Sequence, residues 1–432
     1  MHSFTTANEL YELFRKHPEI IIDTRKITPG CIFFALKGDT FDGNSFAHEA
    51  LRLGASYAVI DNKSYHTENT LLVENALEAL QQLAGIHRDR LKIPLIGITG
   101  TNGKTTTKEL VNTVLGSHFE VQATKGNLNN HIGVPLTILS ITGSTEIAII
   151  EMGANHPGEI AFLCEIAKPT LGLITNIGKA HLEGFGGYDG VIKTKNELYQ
   201  YIGKSSGRLF VNGNNELLMK LSDGIDRWLY GTKPEFQTSC SISVSDPFLE
   251  LNWNSSGSTE IIHTQLVGGY NFENAVAAIA IGNYFKIPLE KITQSIEAYI
   301  PSNNRSQKVN TRKNNTVIMD AYNANPSSMN AALLNFSALS ANNKMVILGD
   351  MLELGDESLA EHKAIVDLMM TMKFEQIVLV GPEFQKVAGN AALSFLKVED
   401  AVDWLSQKPV CDYTILLKGS RGIRMEKIMD TL

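Results

Sequence analysis

Cysteine is scarce and scattered: Cys31, Cys164, Cys240 and Cys411 are the only four in 432 residues, and no two form a CxxC pair. This excludes a disulfide framework and a thiolate metal site, and it fits a reducing, cytoplasmic setting. A basic excess is also lacking. Lysine and arginine number 38 against 46 acids, for a net charge of −8, so no general field draws in nucleic acid and no such partner is expected. Apolar runs such as IAII and MVIL stop far short of the ~20 residues that a membrane span needs. The start, MHSFTTANELYELF, lacks the charged, apolar and small-residue order of a signal peptide, and with such short apolar runs membrane insertion is not expected. Repeats, low-complexity tracts and long charged tails are missing too.

What remains is the composition of a soluble globular protein, 43% apolar and 19% charged, long enough for roughly three domains at ~150 residues each, and the pattern along the chain predicts an α/β fold. Residues 1–92 hold short strand-like pieces (EIIIDTR, CIFFAL, YAVI) separated by turns, then the helical stretch ALEALQQLAGIHRDR. They read as a small α/β recognition module. Over 93–300, buried-strand runs recur (PLIGITG, EIAIIEMG, TLGLITNIG, RLFVNG), each followed by a helical pattern, which is the signature of a parallel sheet. Residues 235–267 alternate apolar and polar side chains around NSSG and predict an antiparallel extension. From 301 to 432 the period resumes with NTVIMD, KMVILGD, QIVLVG and YTILLKG. That predicts a second, Rossmann-like doubly wound sheet, with ligands beyond the carboxyl ends of its strands.

The chemistry centres on TGTNGKTTT, residues 99–107. Gly100 and Gly103 let successive N–H groups face a phosphate, with Thr101, Asn102 and Thr106 in the same loop; Lys104 adds a point charge and Thr105 a hydroxyl for Mg²⁺. The GxxxxGK[ST] pattern is incomplete, because Ile98 stands where its first glycine belongs and Gly97 is one residue off. Glu151 and His181 each follow a strand exit. Glu151 reads as a Mg²⁺ ligand or as a loop acid, and His181 as a site residue or as a structural one. Lys193 and Lys195 in KTKNELYQYI read by spacing as a solvated helix face. Asn271 and Asn274 sit three apart at a helix start, either to read a base edge or, for Asn271, to cap the helix. Asp320, Tyr322 and Asn323 follow a strand, placed either for a ribose and a base or for an ordinary Asx turn.

Taken in order, DTRKITPGCIFFALKGDTFDGNSF, GTNGKTTT, GNLNNHIGVPLTIL, EMGANHPGEI, NIGKAHLEGFG, DAYNANPSSMNAAL, LGDMLELGDES and LLKGSRGIRME resemble the Mur ligase family of ATP-dependent amide ligases. The likeness spans nearly the whole chain, and the DTRK, GNLNN, DAYNANP and KGSRGIRME segments point to the branch that adds D-alanyl-D-alanine. The resemblance implies a monomeric, ADP-forming ligase that joins this dipeptide to UDP-N-acetylmuramoyl-tripeptide, a step of peptidoglycan synthesis. Thr24, Arg25 and Lys37 are then candidates near the uridine diphosphate, and Asn129 and Asn130 for the substrate. Lys104, Glu151, His181 and Lys195 become the catalytic set. Thr105, Glu151 and His181 are expected at Mg²⁺, together with Lys195 as a CO₂-derived carbamate, which reverses the surface reading of that lysine. Neutralising a lysine for that reaction costs about 4 kcal/mol at pH 7.4 from an ordinary pKa near 10.4. Asn271, Asn274, Arg305, Asp320, Tyr322 and Asn323 match positions facing adenine, ribose and the γ-phosphate of ATP. Two departures stand out: SNNRSQ, the expected hinge, replaces a glycine-rich stretch around Arg305, and His131 stands where relatives more often carry an acid. The competing readings are a ligase of the family that adds a different amino acid, a folylpolyglutamate synthase, and an ATP-binding switch that forms no amide.

Overall fold

The computed structural model describes residues 4–255, 258–302, 304–389 and 392–432. Ser256 and Gly257 of the NSSG turn and Asn303 of the expected hinge lie outside the described residues. Three principal sheets follow one another along the chain. The first is parallel, with strands Ile20–Ile21, Ile32–Phe34, Tyr57–Ile60 and Thr70–Leu72 in that spatial order. Helix Ala76–Arg90 then leads to the second sheet; the Asn75 side chain starts it by accepting from the Leu77 and Glu78 N–H groups.

The second sheet has nine strands. Its parallel part centres on Leu95–Thr99, flanked by Ile147–Glu151 and Leu171–Ile174. All three are buried, as strands covered on both faces must be, so they read as continuous apolar runs. Strands Thr238–Ser245, Phe248–Ser255 and Ser258–Val267 add the antiparallel extension that the alternation predicts. Val121–Ala123 and Arg227–Gly231 also join the sheet; neither carries a buried-strand run that announces it. The chain leaves Leu95–Thr99 toward strands on one side and returns to Leu171–Ile174 on the other, so the reversal of strand order falls at the carboxyl end where TGTNGKTTT emerges.

The third sheet orders Gln307–Asn310, Thr316–Asp320, Thr414–Lys418, Lys344–Gly349, Gln376–Val380 and Leu393–Phe395, parallel except for its first pair. Its strand exits face those of the second sheet across a shared cavity. Among the described residues no helix is long and apolar enough to cross a membrane.

Candidate functional site between the second and third sheets

The phosphate-loop geometry is complete although its sequence pattern is not. Gly97 lies within strand Leu95–Thr99, where a side chain would press on Leu198 and Pro169, so it is a packing glycine. The turn is made by Gly100 (φ 142) and Gly103 (φ 77), both in conformations that side chains resist. A Cβ on Gly100 would overlap the Thr175 hydroxyl, and one on Gly103 the Asn274 amide oxygen. Lys104 Nζ donates to the carbonyls of Gly100 (2.8 Å) and Thr101 (3.0 Å), which hold the cation inside the loop. Burial pushes its pKa below the ordinary lysine value, against the opposing pull of Glu151.

Glu151 is buried at the end of its strand. Its Oε1 accepts from Asn129 Nδ2 at 2.7 Å and from the Thr105 hydroxyl at 3.2 Å, while its buried Oε2 has no partner among the described residues. An orphaned carboxylate oxygen beside a threonine hydroxyl and a phosphate loop suits Mg²⁺, which takes few protein ligands and fills its shell with phosphate oxygens and water. His181 is engaged elsewhere: its Nδ1 pairs with the Glu353 carboxylate from the third sheet's side. Among the described residues no three His, Cys, Asp or Glu side chains converge as a metal cage. Of the expected group, Thr105 and Glu151 are in direct hydrogen-bond contact, and His181 lines the same cavity while paired with Glu353.

Lys195 overturns the solvated-face reading. Helix Tyr188–Lys204 turns Lys193 outward and buries Lys195, with Nζ 5.1 Å from the Phe185 ring centre and 3.4 Å from the Ala154 carbonyl. Burial first, then the Lys104 charge, push its ammonium down to about 7.

The cavity holds about 980 Å³ and is lined by Thr101 to Thr106, Asn129, Asn130, Glu151 and His181 on one side and by Arg305, Asp320, Tyr322 and Asn323 on the other. Asn271 and Asn274 also line it, yet their amides are largely committed: Asn274 Nδ2 donates to Asn271 Oδ1, Asn271 Nδ2 to the Val267 carbonyl, and the Thr107 hydroxyl to Asn274 Oδ1. Asn271 stands at the helix start without capping it through its side chain. These bonds brace Gly103, a role that spacing did not reveal. Asp320 is ion-paired with buried Lys418, which also donates to the Asn323 carbonyl. The Arg305 guanidinium lies 3.7 Å from the Tyr322 ring centre and that of Arg421 at 5.5 Å, so the ring next to Asp320 already carries cation–π partners. Asn304 and Ser306 flank Arg305 in the left-handed region (φ 59 and 49), where glycine would cost less. Thr24, Arg25 and Lys37 lie apart from this cavity in the first module. There Arg25 pairs with Asp23, and Lys37 pairs with Asp61 at 2.8 Å.

Sequence reasoning missed several residues that close the site. Asn325, Ser327 and Glu353 all lie in quoted motifs, but only Asn325 carried a signal, as a helix start before Pro326. Asn325 Nδ2 donates to Asn102 Oδ1 at 2.8 Å, and the Ser327 hydroxyl accepts from Lys179 N–H at 2.9 Å. The Lys179 ammonium in turn meets Glu361 at 2.6 Å.

Comparison with known proteins agrees with this construction. The Mur ligase middle domain matches residues 98–282, the Mur ligase glutamate ligase domain 304–421, and the Mur ligase family catalytic domain 19–88. The UDP-N-acetylmuramoyl-tripeptide–D-alanyl-D-alanine ligase of Bacillus subtilis is 35% identical, aligned over 99% of this chain and 95% of its own length. The Escherichia coli ligase of the same name is 31% identical over 96% and 93%. A crystal structure of MurF from Acinetobacter baumannii superposes with a TM-score of 0.88 at 28% identity, covering 98% of both chains.

Proposed function

The chain belongs to the Mur ligase family, and on that premise we propose that it joins D-alanyl-D-alanine to UDP-N-acetylmuramoyl-tripeptide with hydrolysis of ATP to ADP and phosphate. One observation carries this reading: a complete phosphate loop, a carboxylate with a free oxygen, and the strand exits of a second α/β sheet all open into a single cavity. A bare nucleotide switch has no use for the last of these. We assign residues 1–92 to the uridine diphosphate end of the substrate, 93–300 to ATP, and 301–432 to closure over ATP and the dipeptide. The enzyme acts as a cytoplasmic monomer, where its nucleotide-linked substrate and ATP are both supplied.

In the reaction, the terminal carboxylate of the tripeptide attacks the γ-phosphorus. The bond to the β–γ bridging oxygen breaks, leaving an acyl phosphate and ADP. Lys104 leaves its two loop carbonyls for the phosphates and, with the loop N–H groups, stabilises the charge that builds on them. The neutral amine of the dipeptide, with a reference pKa near 8, then attacks the acyl carbon. Collapse of the tetrahedral adduct expels phosphate and leaves the amide. Water must be kept from the acyl phosphate, and the contacts from Asn325, Ser327 and Glu353 across the cleft serve that end. Thr105 and Glu151 would hold a Mg²⁺ ion, which when bound would supply Lewis-acid neutralisation of the phosphates. We assign the carbamate to Lys195, because a buried amine pushed down to about 7 is available in its neutral form at physiological pH.

The test incubates purified protein with ATP, Mg²⁺, D-alanyl-D-alanine and UDP-muramoyl-tripeptide carrying lysine or diaminopimelate. UDP-muramoyl-pentapeptide with stoichiometric ADP is the expected result. ATP binding without pentapeptide would return the chain to the class of switches, and an amide formed only with another amine would move it to a different ligase of the family.

A further inference from the structure

We propose that Asn325 is a positioning residue that sets the phosphate-facing orientation of Asn102, so that the loop is fully armed for the ATP polyphosphate only when the third sheet is closed over the second. The inference rests on the ATP-dependent ligase reading and gives Asn325 a second role beside its closing contact across the cleft.

Asn102 sits at the tip of the phosphate loop and is held on two sides. From the second sheet, its N–H donates to Asn176 Oδ1 at 3.0 Å, and its carbonyl accepts from the Thr175 hydroxyl at 2.6 Å and from Asn176 Nδ2 at 3.1 Å. Those bonds fix its backbone. Among the described residues its side chain is held from across the cleft alone, by Asn325 Nδ2. Amide orientation is fixed by the hydrogen-bond partners on each side, and here they determine it. Asn325 Oδ1 caps helix Pro326–Ala338 by accepting from Ser328 N–H at 2.9 Å, so its NH₂ end must face Asn102, and Asn102 must answer with oxygen. The NH₂ end of Asn102 is then left without a protein partner among the described residues, on a residue that lines the ATP cavity. Two N–H donors beside a loop built for phosphate are suited to a polyphosphate oxygen.

The coupling follows from the fold. Asn325 belongs to the third sheet's side, so opening the cleft removes the hydrogen bond that restrains the Asn102 side chain, while the backbone bonds to Thr175 and Asn176 stay. ATP bound to the oriented amide favours closure by the same factor that closure favours ATP.

The experiment compares Asn325→Asp, Asn102→Ala and the double variant. Asn325→Asp keeps an acceptor for Ser328 N–H, so the helix stays capped, but a carboxylate can only accept and therefore draws the NH₂ end of Asn102 away from the phosphate site. The apparent KM for ATP is expected to rise about tenfold in each single variant, the weight of one lost hydrogen bond. The double variant is expected to be no worse than either single one, since the two residues act as one unit. A wild-type KM in Asn325→Asp, or fully additive losses, would overturn the proposal. Should Asn325→Asp fold poorly, Asn325→Ser retains a capping oxygen too short to reach Asn102 and gives the same readout. Direct titration with ATP and Mg²⁺ separates this inference from the ligase reading: a chain that forms no pentapeptide still shows the tenfold affinity losses if the relay exists, and equal affinities would refute it.

Discussion

His181 and Glu353 meet across the cleft, and both hold left-handed backbone conformations, φ 51 and φ 64, that non-glycine residues adopt at a cost. The histidine holds the glutamate carboxyl below its ordinary range. Strain on both sides of one contact ties it to closure. Since Glu353 is more than half exposed, the pair contributes at most about 1 kcal/mol. Glu353→Ala is expected to shift the open-to-closed ratio by up to roughly fivefold, read as a larger radius of gyration by small-angle scattering at unchanged melting temperature. An unchanged scattering profile would remove the pair from the closing contacts.

Lys195 is buried and, among the described residues, forms no ion pair, the Glu159 and Glu197 charges acting on it only from farther off; at about 7 its amine is about half neutral at neutral pH, against roughly one part in a few thousand for an ordinary lysine. Lys195→Ala is expected to abolish pentapeptide formation, with partial recovery on adding a short carboxylic acid. Full activity in that variant would eliminate the carbamate from the reaction.

Gly103 combines φ 77 with close approach to Asn274. In Gly103→Ala the added methyl must displace an amide already bonded to Asn271 and Thr107. A cost of about 1–3 kcal/mol falls on the loop, so ATP affinity should drop at least about fivefold by calorimetry. Gly97→Ala should spare ATP binding relative to Gly103→Ala and lower the melting temperature instead, because that glycine serves strand packing.

His87 joins the first module to the second. Its Nε2 donates to the Ile141 carbonyl at 3.0 Å and its ring packs on Phe14, while buried Nδ1 has no partner among the described residues. Burial lowers its pKa below 6.5. The unfolded chain therefore takes up the proton first, so stability is whole above pH 6.5 and declines as pH falls through the folded-state value. One such group changes stability by at most about 1.4 kcal/mol per pH unit. Denaturant midpoints measured from pH 7.5 down to pH 5 should fall more steeply for the native chain than for His87→Gln, which can still donate to Ile141. Parallel curves would exclude His87 as the titrating group.

The layout of the fold was legible because strands covered on both faces must be continuous apolar runs, and PLIGITG, EIAIIEMG and TLGLITNIG are such runs. Helix Ala76–Arg90 coincides with the stretch ALEALQQLAGIHRDR for the same kind of reason, since Asn75 marks its start. Val121–Ala123 is too short to show a period. Within the site, Glu151 and the loop were readable from strand exits, whereas Lys195 was not: two lysines two apart on a helix look alike until packing buries one of them. Asn325 shows the limit most directly. Its place before Pro326 announces a helix start, but its partner lies 223 positions away, and no local pattern encodes that distance.

The bonds from Lys104 to the carbonyls of Gly100 and Thr101 bear on how nucleotide affinity should be interpreted. Transferring the ammonium to a phosphate is an exchange of partners, and the two carbonyls released must be rehydrated or find other donors. The heat evolved on binding will therefore understate the strength of the lysine–phosphate contact. A Lys104→Met variant would forfeit the phosphate contact and the internal one together, leaving two loop carbonyls without their donor in the nucleotide-free protein. Its lost affinity would then measure the difference between two environments of one cation, and its lost stability would measure the first of them alone.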